Sequence, residues 1–591
     1  MRAYLRGIVA ATGIVLGAAP GGEMRAWAQS EPAPEPAARA LIAPDGVAGP
    51  YLGAVAAELS GDIAASARLY NQAVARDPTL TELRRRALWH SVLAGNVEAA
   101  LEHGARLLPE LDGDNSIQIV VAVEEVRAGA FPQTVERLTA GEEILGPVLS
   151  ELVQGWALSV DDLDAADAVF DGMQGAAYIR ALAEFHAAMA HAVAGDLENA
   201  AIRLEAANPD ILRIDSRFVL GTAEVWATTG RQGQALEILD AALADGVQDP
   251  ILTGLRARIA AGETVEFSLL PNATEGVAEA FYGFARLIAL SGENRRFPLF
   301  LARLALHLAP QHDEARLLTA EILDAAGQYE LAIDVLGEIP VASPRFVEAE
   351  TRRANAMQAA GRTEEAIGAL TALTRVHPEN FTAHLALADA MRREERWAPA
   401  AETYSTAIEL LGDAVAARHW LLFFRRGMSF ERSGDWPPAE ADFRRALELQ
   451  PDQPHVLNYL GYSLVELGSN FEEAEQMIRT AVRLRPEDGY ITDSLAWVLY
   501  RMGRFDEAVA PMERAVAFVP FDPILNDHLG DILWMVGRKT EARFQWKRAL
   551  SFEPEEKDLP RIQRKLEVGL DVVLDEEARA PEPVAETEQA E

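Results

Sequence analysis

A chain of 591 residues is too long for one compact core, so several domains or one extended array are expected. Hydrophobic residues make up 49% and charged residues 25%, the balance of a folded soluble protein, while a formal net charge of −37 repels phosphate backbones and argues against nucleic-acid binding. The absence of cysteine excludes disulfides, thiol nucleophiles, thiolate metal sites and a lipidated N-terminal cysteine.

At the N-terminus, Arg2 and Arg6 precede an apolar run from Gly7 to Ala19, and Ala26-Trp27-Ala28 follows. A basic flank, a short apolar core and an A-x-A motif read as an export signal over 1–28, cut near Ala28. The run is shorter than the ~20 residues that span a bilayer. The mature chain is therefore expected to be periplasmic, with no integral membrane span. Residues 29–50, rich in Pro and Ala, read as a disordered linker.

From residue 51 one pattern returns. A small residue marks each second helix at Ser66, Ala100, Thr134, Ala166, Ala200 and Ala235, in steps of 34, 34, 32, 34 and 35. These units form a degenerate array over 51–250. The pattern fails over 251–276, where Pro271, Asn272 and Gly276 mark a loop, and this stretch is expected to be an irregular seam and hinge between two arrays. The marks resume over 277–556 at Ala332, Ala366, Ala400, Ala439, Ala474, Ala508 and Ala542, in steps of 34, 34, 39, 35, 34 and 34. The 39 reflects an insertion around Leu411–Ala417, and the 35 an extra residue near Ser469–Asn470. A capping helix is expected over 557–574 to cover the last open face. The acidic remainder, 575–591, reads as a disordered tail.

The best-defined units run from Leu457 to Pro554. LNYLGYSL, TDSLAWVLY and NDHLGDILW each open a helix, and Gly468, Gly503 or Gly537 ends it. Each second helix then carries an alanine (Ala474, Ala508, Ala542), a large apolar residue (Ile478, Met512, Trp546) and a second alanine (Ala481, Ala515, Ala549) before a proline (Pro486, Pro520, Pro554). This order of marks at a 34-residue period resembles the tetratricopeptide repeat. The resemblance covers 51–554, and the C-terminal units look like those of exported alphaproteobacterial repeat proteins. It implies an all-α, right-handed solenoid of about fourteen helix-turn-helix units. It also implies a non-enzymatic scaffold that takes a partner peptide or helix along a concave groove lined by each first helix. Envelope or exported-polymer assembly is the setting that fold analogy suggests.

In the register of that family the groove places hold Asn458 and Tyr462; Tyr490, Asp493, Trp497, Tyr500 and Arg501; Asp527, Asp531 and Trp534. Aromatic bodies among Asn, Asp and Arg suit a peptide groove, and Trp497, Tyr500 and Trp534 are expected to be partly exposed there. The aspartates suit a basic or neutral segment rather than a terminal carboxylate. Asn458, Asp493 and Asp527 share one place in successive units, so they have a second reading as bonds inside the stack. Upstream, Glu314, Glu321, Asp324, Glu348 and Thr351 give an acidic stretch, followed by Asp389, Arg392 and Arg393.

Eleven histidines occur, none in a compact ligand spacing. His186 and His191 are five apart, which does not align them on one face, and Asp112-Gly113-Asp114-Asn115 lacks the downstream residues of a calcium loop. No phosphate-binding, dinucleotide or nucleophile-elbow motif is present. No catalytic residue, metal or cofactor is expected. Two alternatives stay open: an enzyme with its site in the irregular 251–310 region, and a cytosolic repeat regulator.

Overall fold

A computed structural model describes residues 46–107, 115–140, 146–207, 215–244, 249–291 and 295–579. The expected signal segment, the linker up to residue 45 and the tail from 580 lie outside them. Among the described residues there are 31 α-helices, two single-turn 3-10 helices and no strand. The described residues form an all-α solenoid of fourteen helix-turn-helix units, from Ala48–Ser60 with Ile63–Arg76 to Pro523–Met535 with Lys539–Ser551. The helix Pro250–Ala260 stands alone between units, and two helices follow the last one.

Local chemistry sets the units. Asp488 and Asp522 cap first helices by accepting from Tyr490 and Ile491, or Ile524 and Leu525, at 2.8–3.1 Å. Gly503 ends its helix at φ +76°, which lets Arg504 N–H return to the Leu499 carbonyl at 2.9 Å. A Cβ at Gly427 would lie 2.7 Å from the Phe443 ring, so the two helices of that unit meet closely only because the side chain is absent. Ala474, Ala481, Ala508, Ala515, Ala542 and Ala549 are all sealed, around Ile478, Met512 and Trp546. The longer step of 39 is taken up by the 3-10 turns Gly412–Ala414 and Ala417–His419. In the step of 35, Asn470 adopts the left-handed conformation.

The described chain divides into two compact units, the first ending at Leu373 and the second beginning at Thr374. The seam expected over 251–276 lies inside the first unit. Its loop is tied down. The Glu224 carboxylate accepts from Ser268 N–H (2.9 Å), Ser268 Oγ (2.8 Å) and Leu269 N–H (3.0 Å), and Thr228 Oγ1 donates to the Val265 carbonyl.

This loop delivers the hairpin Ala273–Ser291 with Arg296–Leu308, which packs against the first helices of four earlier units: Thr81–Leu93, Asn115–Arg127, Pro147–Leu158 and Ala177–Val193. Trp89 stacks on Phe300 at 4.3 Å, and Trp156 lies against Gly276 so closely that no Cβ fits there. The groove side of these units is thus occupied by their own chain. Both hairpin helices are apolar almost all round, as a helix buried on every side requires. Arg296 of the hairpin donates to the Glu58 carbonyl at 3.0 Å, and beyond the hairpin Gln328 Oε1 accepts from Ile63 N–H at 3.1 Å. The first repeat therefore meets the eighth.

In the second unit the expected cap over 557–574 is two helices, Leu559–Val568 and Leu570–Arg579, joined at Gly569 with φ +93°. Helix continues through 575–579, where a disordered tail was expected.

Candidate binding surface of the second unit

The places expected to line one groove separate into three groups. In the last repeat the cap has taken them. Lys565 Nζ donates to Asp527 Oδ2 at 2.8 Å and Asp531 Oδ2 at 2.7 Å, and Trp546 Nε1 donates to Asp531 Oδ1 at 2.9 Å. Arg561 adds a 3.4 Å contact to Asp531. Burial and the neighbouring Asp531 push the Asp527 carboxyl up, and Lys565 opposes them. Trp534, expected to be partly exposed, is only 6% exposed. Its ring lies where a side chain on Gly569 would be, under Lys539 Nζ at 4.4 Å. Asp527, Asp531 and Trp534 are spent on closing the array.

A second group bonds between repeats. Asp493 is buried and accepts from His528 Nδ1 at 2.9 Å. Burial pulls the His528 pKa down, but Asp493, with Asp527 and Asp531 behind it, outweighs that and raises it. Tyr500 is half-buried and, like Trp497, packs against the core cluster, at 5.4 Å from Phe505. Tyr490 stands at the helix start, 56% exposed, with its hydroxyl on Asp522 at 3.2 Å.

The third group remains open. Trp497 is half-buried, stacked between His528 (4.0 Å) and Tyr500 (4.8 Å). Its Nε1 donates to Glu466 Oε1 at 2.7 Å, and Arg501 reaches the same oxygen at 3.1 Å. One repeat back lie Asn458 and Tyr462, both half-buried. The Asn458 Oδ1 is out of contact with solvent and has no donor among the described residues. Burial, then Glu466 and Asp493, push the Tyr462 phenol up. An amide with an unmet acceptor, a phenol and an indole edge beside an Arg–Glu pair form a surface that can bond and stack on a polypeptide.

Sequence reasoning missed Glu466 and Lys565 here, and it read His528 only as a packing or groove residue of a first helix. Glu466 holds the same place in its unit as Arg501 in the next, and register alone could have found it. His528 and Lys565 each face their aspartates from the second helix downstream, a relation visible only once the stacking is known. Also in this unit, Asp389 takes Arg425 at 2.7 Å and bonds the Tyr404 hydroxyl.

In the first unit the acidic stretch is largely neutralised. Glu314 pairs with Arg217 (3.0 Å) and Arg345 (3.3 Å), and Glu348 with Arg352 (2.8 Å). In the 251–310 region Glu263 pairs with Arg258 at the surface (3.3 Å), and the buried carboxylate with basic neighbours is Glu279, at 2.6 Å from Arg217 and 3.3 Å from His312. Burial alone would raise it, but those cations hold it well below the usual carboxylate range. Its side chain has no solvent exposure.

Residues 351–417, 424–489, 463–523 and 494–551 match the family model described as tetratricopeptide repeat. These segments, within 351–551, are tetratricopeptide repeats. The TPR repeat-containing protein PA4667 of Pseudomonas aeruginosa is 36% identical over 83 residues, which span 14% of this chain and 14% of that relative. Among solved structures, the Cut9–Hcn1 hetero-tetramer of the APC/C is 11% identical, covering 90% of this chain and 98% of that one with a TM-score of 0.35. A tetratricopeptide repeat protein from Parabacteroides merdae is 19% identical, covering 49% and 97% with a TM-score of 0.33. The open surface at Asn458, Tyr462, Trp497 and Arg501 lies within the segments matched as tetratricopeptide repeats.

Proposed function

We propose that this chain is an exported, non-enzymatic scaffold whose second unit takes a partner peptide or helix on the surface formed by Asn458, Tyr462, Trp497 and Arg501. The observation that carries the reading is the state of Asn458, whose buried Oδ1 lacks a donor among the described residues, whereas its counterparts Asp493 and Asp527 each bond within the stack through one carboxylate oxygen, the other oxygen of Asp527 being unmet as well. A buried acceptor left unmet costs about 1–3 kcal/mol, and an N–H from a bound segment removes that cost. Glu466, 44% exposed at its side chain, favours a basic or neutral segment over an acidic one. Assembly of envelope proteins or exported polymers is the setting we infer, from the export signal read at residues 1–28.

Site-specific photo-crosslinking in the envelope fraction tests this. A crosslinker at Tyr462 is expected to capture a defined partner, and one at the exposed Phe544 of a second helix is not. Trp497→Ala should abolish the Tyr462 adduct. Equal labelling from both positions, or an adduct indifferent to Trp497→Ala, removes the reading.

A further inference from the structure

We propose that the first unit binds a carboxylate-type oxyanion against Arg303, at the turn joining Thr81–Leu93 to Val97–Leu107. Arg303 is 8% exposed and has no hydrogen-bond or ion-pair partner among the described residues; its Nε is buried without an acceptor. A guanidinium carries five donors in a fixed fork and is rarely buried without an anion. Burial pushes its pKa down to about 10, with Glu338 and Asp334 opposing, so it stays cationic at neutral pH.

The surroundings hold the fork in place and leave it free to bind. The guanidinium lies flat on Gly95, whose Cβ, if present, would sit 2.9 Å from Nη1. Gly95 is exposed and left-handed at φ +90°, so the fork rests beside the surface with no side chain between. The helix Val97–Leu107 begins two residues later, and its positive end adds to the potential there. Its first-turn acid, Glu98, is exposed and does not interact with Arg303.

Single charge follows from what else is near. Glu338 and Asp334 lie within electrostatic range of Arg303 but not in bonding contact, and Glu338 is engaged by Arg316 at 3.3 Å. Two carboxylates at that distance disfavour a dianion and tolerate a monoanion. The planar carboxylate also matches the fork in two parallel bonds. The ligand is a free small carboxylate or the carboxylate of a polypeptide, two sources with the same recognition chemistry.

The test uses the full chain with acetate as probe, against chloride at matched ionic strength. Acetate is expected to raise the melting temperature and to give a saturable isotherm, whereas chloride does neither. Arg303→Met should lose both responses, and Arg303→Lys should keep part of them. Should Arg303→Met fail to fold, Arg303→Gln and the wild-type isotherm carry the decision. A short peptide with a free C-terminus binding about tenfold tighter than acetate assigns the polypeptide source; equal binding of both assigns the small molecule. An acetate response no greater than that of chloride, or one that survives Arg303→Met, overturns the proposal.

Discussion

Lys565 Nζ donates to Asp531 Oδ2 at 2.7 Å, and neither side chain has any solvent exposure. The pair ties the cap to the last repeat, and Asp527 shares the same ammonium. Lys565→Met takes the ammonium from Asp527 and leaves the buried Asp531 with only the longer contact to Arg561 at 3.4 Å. Removing one partner of a buried pair costs about 3–5 kcal/mol, so urea unfolding of this variant should begin at the second unit at clearly lower denaturant. A midpoint equal to that of the wild type would mean the cap does not depend on this ammonium.

His528 makes stability depend on pH in a definite direction. Its folded pKa lies above that of an ordinary histidine, because Asp493, Asp527 and Asp531 outweigh burial. A group raised in the folded state contributes stability in full below its unfolded pKa and loses it as pH rises through the folded pKa. Stability of the second unit should therefore fall as pH climbs above about 6.5, and His528→Gln should flatten that fall. Chemical denaturation at several pH values reads the slope. A slope of opposite sign, or one unchanged in the variant, contradicts the assignment.

Trp497 and Tyr500 separate binding from folding. Both rings are half-buried and pack against the core cluster, but Trp497 bonds Glu466 with its indole N–H, whereas Tyr500 lies between Trp497 and Phe505. Trp497→Ala should weaken partner binding by about 2–4 kcal/mol if the ring acts as an anchor, with the smaller loss of stability. Tyr500→Ala should cost roughly 3–5 kcal/mol of stability through the cavity it leaves. Melting curves and partner affinity on the two single variants check this. A collapse of the fold in Trp497→Ala would assign that ring to the core as well.

Export predicts a trimmed N-terminus. N-terminal sequencing of protein released by osmotic shock should begin at or near Gln29. Recovery of intact Met1 in the cytosolic or membrane fraction would remove the periplasmic assignment.

The fold was legible wherever its determinants are local. Ala508 and Ala542 sit 34 residues apart because each marks the close crossing within one unit, and both are fully buried. The role of the hairpin 273–308 was not legible, because its partners are remote: Phe300 stacks on Trp89, and Thr274 donates to the Val126 carbonyl. A period of 34 carries no information about such contacts. The hairpin did leave a trace, since FYGFARLIALS and FPLFLARLALHL lack the polar face a groove-lining helix needs. Register located Asn458, Tyr462, Trp497 and Arg501 on first helices, but it could not tell them from Asp527 and Asp531. That distinction rests on a lysine more than thirty residues downstream.

The bond from Ile63 to Gln328 has a consequence for how the protein is made. An open solenoid can fold repeat by repeat as it emerges, because each unit meets only its neighbours. Here the interior of the first repeats includes Phe300, which is synthesised some two hundred residues after Trp89. Early repeats leave the ribosome with an apolar face that has no local cover. Long-range closure of this kind slows folding and lengthens the time that such a face is open to other chains. Assembly of this unit is accordingly the step at which a chaperone has most to protect.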